Sequence, residues 1–322
     1  MSSSDNYVLI IGSSNMDLNI YSKRLPKPGE TVTGGTYKQF LGGKGANQAV
    51  ASVRSGSKTI FIAKIGMDPF GDQMISQLKK EGVNFKYLIR DPEERSGTAF
   101  IMVDENGENM ISVAPGANAK LSKQDIKRNA DIIKNSNSLV VQMEIPTETI
   151  QEIYKIASKG NVIKILNPAP LKSIPAEILE NIDIIVPNEG ELYRLHSQLE
   201  FDKPSVKGLR KIKEISRAIV KKGVKIVITT LGSKGAVVYQ SDNDLLTLLP
   251  SYKVQAVDTV GAGDCFIGVL ASKLNQGLDI INSVKYAISA ASISVTRKGA
   301  QQSIPYSNEI DERYNEYIKL IN

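Results

Sequence analysis

Ser138-Leu139-Val140-Val141-Gln142-Met143, then Thr147–Ser158, then Val162-Ile163-Lys164-Ile165-Leu166-Asn167 reads as strand, helix, strand. The two strand runs are short, β-branched and almost continuously apolar, the pattern of strands buried on both faces. A helix between two such strands carries the chain back to the same end of the sheet, which makes the pair parallel. The rhythm extends in both directions. Tyr7–Gly12, Thr59–Ile65, Asp183–Pro187, Lys225–Leu231 and Gly235–Tyr239 are further strand candidates, while Gly45–Arg54, Phe70–Glu81, Lys123–Lys134 and Leu209–Lys222 have helical patterning. The expected architecture is α/β, with a mostly parallel central sheet covered by helices on both faces.

Two stretches break the rhythm. Segment 15–42 is strand-like but half polar, and holds Leu25-Pro26-Lys27-Pro28-Gly29-Glu30-Thr31. Segment 97–114 places apolar runs on either side of Glu105-Asn106-Gly107-Glu108, a hairpin signal. Neither carries a helical pattern. They are expected to form a small antiparallel β lid projecting from a catalytic core of residues 1–14, 43–96 and 115–322. An extra edge on the main sheet is the alternative.

Composition narrows the chemistry. The chain has 322 residues, 41% hydrophobic and 23% charged, which is ordinary for a folded domain and excludes a disordered or fibrous chain. One cysteine excludes a disulfide framework and a cysteine zinc site, and one histidine excludes a histidine-rich metal site. Acid–base work therefore falls to carboxylates. That lone His196 lies in a polar segment without a candidate partner and is expected on the surface. The net charge is 40 − 34 = +6. Its densest basic stretch, Lys207 to Lys225, has no interleaved aromatics and reads as a solvated helix face, so nucleic acid is not an expected partner. A polyanionic small ligand such as a nucleotide suits the charge equally. No apolar run approaches the roughly 18 residues of a membrane span. Val8-Leu9-Ile10-Ile11 is too short for a signal-peptide core. Cytoplasm is the expected address, in keeping with the single thiol.

Five stretches hold candidate chemistry. Gly42-Gly43-Lys44-Gly45-Ala46-Asn47-Gln48 opens a helix, where glycines allow close backbone approach and free N–H groups attract anions. It has neither the P-loop spacing nor the dinucleotide fingerprint; it is a polar-ligand loop or a tight strand-to-helix turn. Asp258-Thr259-Val260-Gly261-Ala262-Gly263-Asp264-Cys265 leads into another helix. The amides of Gly261, Ala262 and Gly263 can cradle developing phosphate charge, with Asp264 beside them in the first turn. Capping alone explains neither Gly-Ala-Gly nor Asp258. Cys265 reads as a small buried helix residue. Pro187-Asn188-Glu189-Gly190-Glu191 stands at a strand end, where open α/β sheets bind ligands; it is either an Mg²⁺ element or an N-cap with acidic first-turn residues. Thr229-Thr230-Leu231-Gly232-Ser233-Lys234-Gly235 reads as a hairpin, and Val295-Thr296-Arg297-Lys298-Gly299-Ala300-Gln301-Gln302-Ser303 as a helix terminator whose carbonyls could hold a cation.

Taken with Gly12-Ser13-Ser14-Asn15-Met16-Asp17, Pro28-Gly29-Glu30-Thr31 and Asn167-Pro168-Ala169-Pro170, these stretches resemble the ribokinase family of sugar kinases along nearly the whole chain. The resemblance implies transfer of the γ-phosphate of Mg·ATP to the 5-hydroxyl of D-ribose. It implies Asn15, Asp17, Gly43, Lys44, Gly45, Asn47 and Glu144 around the sugar, and Asp264 as general base. The Gly261–Gly263 amides become the anion hole. Asn188 and Glu191 would serve phosphate and Mg²⁺, and Thr230, Gly232, Ser233, Lys234, Gly235 and Gly263 the nucleotide. Asp258, Val260, Ser294, Arg297, Gly299 and Ser303 match positions around a K⁺ ion. The two insertions match the family's lid, which also forms its usual homodimer contact. Cys265 departs from the Thr or Ser common there. Relatives in this family also act on deoxyribose, fructose, nucleosides and sugar phosphates; Asn15 two residues before Asp17 argues for ribose. A silent sugar-binding homologue would be expected to lose Gly261, Gly263 or Asp264, and all three are present.

The chemistry fits this implication. Phosphoryl transfer runs through a loose transition state, so positioning and charge stabilisation dominate, and neither a histidine nor a P-loop is required. An Asp within reach of the attacking hydroxyl suffices as proton acceptor.

Overall fold

The computed structural model describes residues 6–199, 201, 204 and 206–321. Its strands, in chain order, are β1 (Val8–Ile11), β2 (Asn15–Tyr21), β3 (Thr36–Gly42), β4 (Thr59–Ile62), β5 (Lys64–Gly66), β6 (Ile89–Asp91), β7 (Gly97–Val103), β8 (Asn109–Ala114), β9 (Ser138–Gln142), β10 (Ile163–Asn167), β11 (Ile184–Ile185), β12 (Ile226–Thr230), β13 (Ala236–Gln240) and β14 (Leu245–Leu249). Eight of them form the central sheet in the order β14-β13-β12-β11-β10-β9-β1-β4. Pairing is parallel from β4 across to β12; β13 and β14 close the sheet with antiparallel pairs.

The near-continuous apolar runs have the expected cause. In β1, Leu9 and Ile11 point into one core while Val8 and Ile10 point into the other, and all four are fully buried. β9 divides likewise, Leu139 and Val141 against Val140. Helices α1 (Lys44–Arg54) and α2 (Pro69–Lys80) cover one face. Helices α3 (Lys123–Arg128), α4 (Ala130–Lys134), α5 (Thr147–Ala157), α6 (Ala176–Glu180), α7 (Glu189–Gln198) and α8 (Gly208–Val220) cover the other. The chain then returns to the first face with α9 (Ala262–Asn275), α10 (Ile280–Ser294) and α11 (Ser307–Ile321).

Some sequence expectations are redrawn. The strand expected over Thr59–Ile65 breaks at Ala63 into β4 and β5, and β5 leaves the main sheet to pair with β6. The helix expected over Lys123–Lys134 breaks at Asn129, which ends α3 and precedes α4. His196 is buried rather than exposed: it lies in α7 with its ring 5.5 Å from that of Phe201, and burial and Lys211 lower its pKa.

A second sheet stands apart from the first, in the order β3-β2-β7-β8. It is therefore not an added edge of the main sheet. The register is continuous from Asp17 through Ala99 to Val113, and from Asn19 through Ile101 to Ile111, so these side chains share one face. Phe100, Met110, Ile20 and Tyr37 share the opposite face. Among the described residues no helix is long and apolar enough to cross a membrane.

Candidate active site

The carboxyl ends of the parallel strands converge on the starts of α1 and α9. α1 follows β3 through Gly43, whose φ is +87° and where a Cβ would stand 2.7 Å from Asn15 N and Ser14 Cα. Only glycine permits that approach. The first turn of α1 is then pinned to the end of β1: Ala46 N donates to Ser13 O at 2.9 Å, and Lys44 N donates to Glu144 Oε2 at 3.1 Å. Ser13 Oγ donates a short hydrogen bond to the same carboxylate.

Asn15, Asp17, Gly43, Lys44, Gly45, Asn47, Glu144 and Asp264 come together here. Asn15 Oδ1 accepts from Asn118 Nδ2 at 2.8 Å, and Asn118 is itself held by Ser14 N and Ser14 O. Asn118 is a buried positioning residue that sequence reasoning missed. Three carboxylates crowd the pocket. Asp17 is pushed up to about 7, first by burial and then by the charges of Glu144 and Asp264. Lys44 is raised by Asp264, with Glu144 and Glu191 adding to it against the opposing effect of burial.

α9 begins at Ala262, with Gly261 as a left-handed cap at φ +74°. Cys265 N donates to Gly261 O at 2.8 Å, the first full helical bond, so the amides of Gly263 and Asp264 lie ahead of it. A Cβ added at Gly263 would meet nothing within 4 Å. The protein leaves open space over this helix start, where a phosphoryl group could reach the amides and the positive end of the helix dipole. Asp264 stands beside that space, 7% exposed. Its Oδ2 accepts from Asn47 Nδ2 at 2.9 Å, and its Oδ1 from Gln48 Nε2 at 3.0 Å. Asn47 Oδ1 is buried without a partner, as an acceptor awaiting a hydroxyl would be. Cys265 is fully buried, and its thiol is pushed up to about 12 by burial and by Asp264, which excludes it as a nucleophile.

A cavity of about 570 Å³ runs from Gly263 to the β12–β13 turn. Thr230, Gly232, Ser233 and Gly235 line it, but Lys234 is exposed in the same turn and does not. Its apolar wall comes from Tyr252, Val254, Phe266, Ile288, Ala291 and Val295. Segment 251–257 has no helix or strand pattern, and α10 turns only one side to the cavity, so sequence offered no signal for these residues. The wall suits a flat apolar base, the open end a polyphosphate.

Asn188 bridges to Thr230 and so stands at the cavity's inner edge. Asn188 Oδ1 accepts from Glu191 N, and Glu191 Oε2 from Asn188 N, both at 2.8 Å. The capping alternative is thus realised. Among the described residues no three His, Cys, Asp or Glu side chains are grouped to hold a metal. The Asn188–Glu191 pair would suit Mg²⁺ carried mainly by phosphates and water rather than by a cage of protein ligands.

Behind α9, Asp258 ties two loops together: its Oδ1 accepts from Val260 N at 3.0 Å and its Oδ2 from Gly299 N at 2.9 Å. Ser294 and Ser303 share a hydroxyl hydrogen bond of 2.8 Å. Arg297 pairs with Glu309, which leaves its carbonyl as the group it could offer. The donors gathered here are all oxygen, the kind an alkali cation takes. The same loop is gripped from the far end of α1. Arg54 Nη1 donates to Gln301 O at 2.9 Å and Ile304 O at 2.6 Å, while the guanidinium forms a buried ion pair with Glu81.

The sequence model for the pfkB family of carbohydrate kinases matches residues 5–306. A ribokinase of Staphylococcus aureus is 37% identical over 309 residues, 95% of this chain and 99% of its own. A deoxyribokinase of Salmonella typhi is 38% identical over 314 residues, 97% and 99% of the two chains. The structure of Arabidopsis thaliana ribokinase complexed with ribose and ATP matches with a TM-score of 0.88, at 31% identity, covering 96% of this chain and 98% of the other.

Proposed function

Since the chain belongs to the pfkB family of carbohydrate kinases and is an ATP-dependent sugar kinase, we propose that it transfers the γ-phosphate of ATP to the 5-hydroxyl of D-ribose, giving D-ribose 5-phosphate and ADP. One observation carries this reading: Asp264 and the open amide end of α9 stand between the Asn15–Asp17–Asn47 pocket and the cavity that begins at Gly263.

In this reading Asn15, Asp17, Lys44, Asn47 and Glu144 hold the sugar hydroxyls, and the loop Gly43–Gly45 closes against it. Asp264 accepts the proton of the attacking hydroxyl as the phosphoryl group is transferred. The free amides at Gly261 and Gly263 stabilise charge on that group, whereas Ala262 N is bonded to Thr259 O at 3.3 Å and is not free, contrary to the expectation from the sequence. Thr230, Gly232, Ser233 and Gly235 flank the nucleotide. Mg²⁺ accompanies ATP and neutralises phosphate charge; Asn188 and Glu191 would hold it. K⁺ at Asp258, Val260, Ser294, Arg297, Gly299 and Ser303 would fix the loops behind the anion hole. The β2-β3-β7-β8 sheet would close over the sugar and exclude water, suppressing ATP hydrolysis. Its exposed apolar residues support a homodimer through this sheet, with Phe100 56% and Ile111 58% exposed. The single buried thiol suits a cytoplasmic enzyme.

2-Deoxy-D-ribose is the second reading, favoured by the Salmonella deoxyribokinase, which is as similar as the ribokinases. An ADP-release assay with Mg·ATP and K⁺ against D-ribose, 2-deoxy-D-ribose, D-fructose, adenosine and no sugar separates them. Preference for D-ribose is expected. A dominant rate with another acceptor would reassign the sugar pocket, and silence on all four would overturn the proposal.

A further inference from the structure

Gln48, one residue beyond the sugar-facing Asn47, is fully buried. Its Nε2 donates to Asp264 Oδ1 at 3.0 Å and to Asn167 Oδ1 at 3.2 Å. Its Oε1 accepts from Gln142 Nε2 at 2.6 Å. Asn167 Nδ2 in turn donates to Val186 O at 3.1 Å, which joins the network to the strand end before Asn188. The orientation of these amides follows from chemistry. An ionised carboxylate only accepts, so Gln48 must turn its nitrogen to Asp264 and its oxygen to Gln142. Gln142 then must present its own nitrogen. Its leftover Oε1 is buried without a partner, and a Cβ at Gly12 would overlap it at 1.8 Å. Space is reserved for a side chain whose sole hydrogen-bonding duty is to orient Gln48.

The two oxygens of Asp264 are therefore unlike. Oδ1 is held by an amide that is anchored from two further strands. Oδ2 is held by Asn47, whose own oxygen is unfilled and which lies on the sugar side. Resting on the reading of Asp264 as general base, we infer that Gln48 is a positioning residue that locks Oδ1 and leaves Oδ2 as the oxygen that takes the sugar proton. The charged groups around Asp264 are Lys44 from α1, Asp17 from β2, Glu144 after β9 and Glu191 from α7, and none is altered in the variants below.

The test is a set of pH–rate profiles, with kcat and KM, for wild type, Gln48→Met, Gln48→Glu and Gln142→Leu, with Asp264→Asn as control. Each is assayed on whichever sugar the wild type phosphorylates fastest. Gln48→Met is expected to lower kcat about ten- to a hundredfold, the loss of one hydrogen bond to a charged group, with KM for ATP within about twofold. Its acid limb should move to higher pH by about half a unit or more. Gln48→Glu keeps the shape and places two carboxylates together, so its acid limb should move further. Gln142→Leu, one bond removed from Asp264, should shift the profile in the same direction by less, and it keeps the test intact if a Gln48 variant does not fold. Wild-type acid limbs in the folded variants, or a loss confined to melting temperature, would overturn the inference while leaving Asp264 as base. Near-normal turnover in Asp264→Asn would overturn the base assignment itself, and this inference with it.

Discussion

The molecule contains two sheets built from similar residues and treated in opposite ways. In the central sheet, all residues of β1, β4 and β9 are buried, covered by helices on both faces. In the small sheet, all six residues of β8 are exposed, Met110, Ile111 and Val113 among them. A four-stranded sheet with apolar side chains facing water on both sides is not a finished structure. The difference separates two duties. The covered sheet sets the positions of Asp264 and its neighbours, and the uncovered one leaves apolar side chains open to solvent.

That division can be tested by substitutions on each side. Asp264→Asn, on the covered side, should lower turnover by about a thousandfold while sugar binding measured by titration calorimetry persists. Comparable loss of binding would mean that Asp264 serves the sugar pocket rather than the chemistry. On the uncovered side, Ile111→Asp should weaken self-association about tenfold or more in sedimentation equilibrium, with an unchanged unfolding midpoint for the monomer. A fall in the monomer's own stability would show β8 to be packed after all. Replacing K⁺ by a large organic cation should lower kcat severalfold and leave the sugar KM in place, because Asp258 and Gly299 hold the loop that leads into α9. A change in sugar KM alone would erase the boundary between the two regions.

The smallest effect is the most discriminating. Asp17 lies on the small sheet yet reaches the carboxylates of the core, and its pKa is raised from 3.8 to about 7. A raised value means that the folded protein binds the proton more tightly than the unfolded chain. The stability this contributes is complete below pH ~4 and is lost as pH rises through ~7. Asp17→Asn should therefore melt about 2–6 °C above wild type at pH 8 without sugar, the difference shrinking towards pH 4. A constant difference across that range would refute the raising of Asp17 by its burial and, to a lesser extent, by the charges of Glu144 and Asp264.

The covered sheet was the legible part of the sequence. Its strands announce themselves because Leu9 and Ile10 both need burial, on opposite faces, and the helices follow from the intervals between them. β14 was not legible: Leu245 and Leu248 are exposed on an edge strand, so hydrophobicity there does not mark a core. The break at Asn129 depends on how α3 and α4 pack, and His196 is buried by Phe201, a contact no local pattern encodes. Within the site, the glycine runs and Asp264 could be read because helix starts that bind anions constrain residue type. Gln48, Gln142, Asn118 and Asn167 could not, because a buried amide is chosen by the partners it meets in space. The apolar wall of the cavity was equally silent, since Tyr252 and Val254 sit in irregular chain and Ile288 and Ala291 read as ordinary helix core.

One helix joins matters that lie far apart. The start of α1 presents Lys44, Asn47 and Gln48 to the reacting groups, and its last residue, Arg54, grips the carbonyls of Gln301 and Ile304. Eleven residues make a rod about 16 Å long, stiff along its axis. A tie of this kind transmits tension in either direction: whatever pulls the 297–304 loop out of place drags on the anchor of Asp264 as well. Loosening that far knot at Arg54 would thus unsettle Asp264, a side chain it never touches.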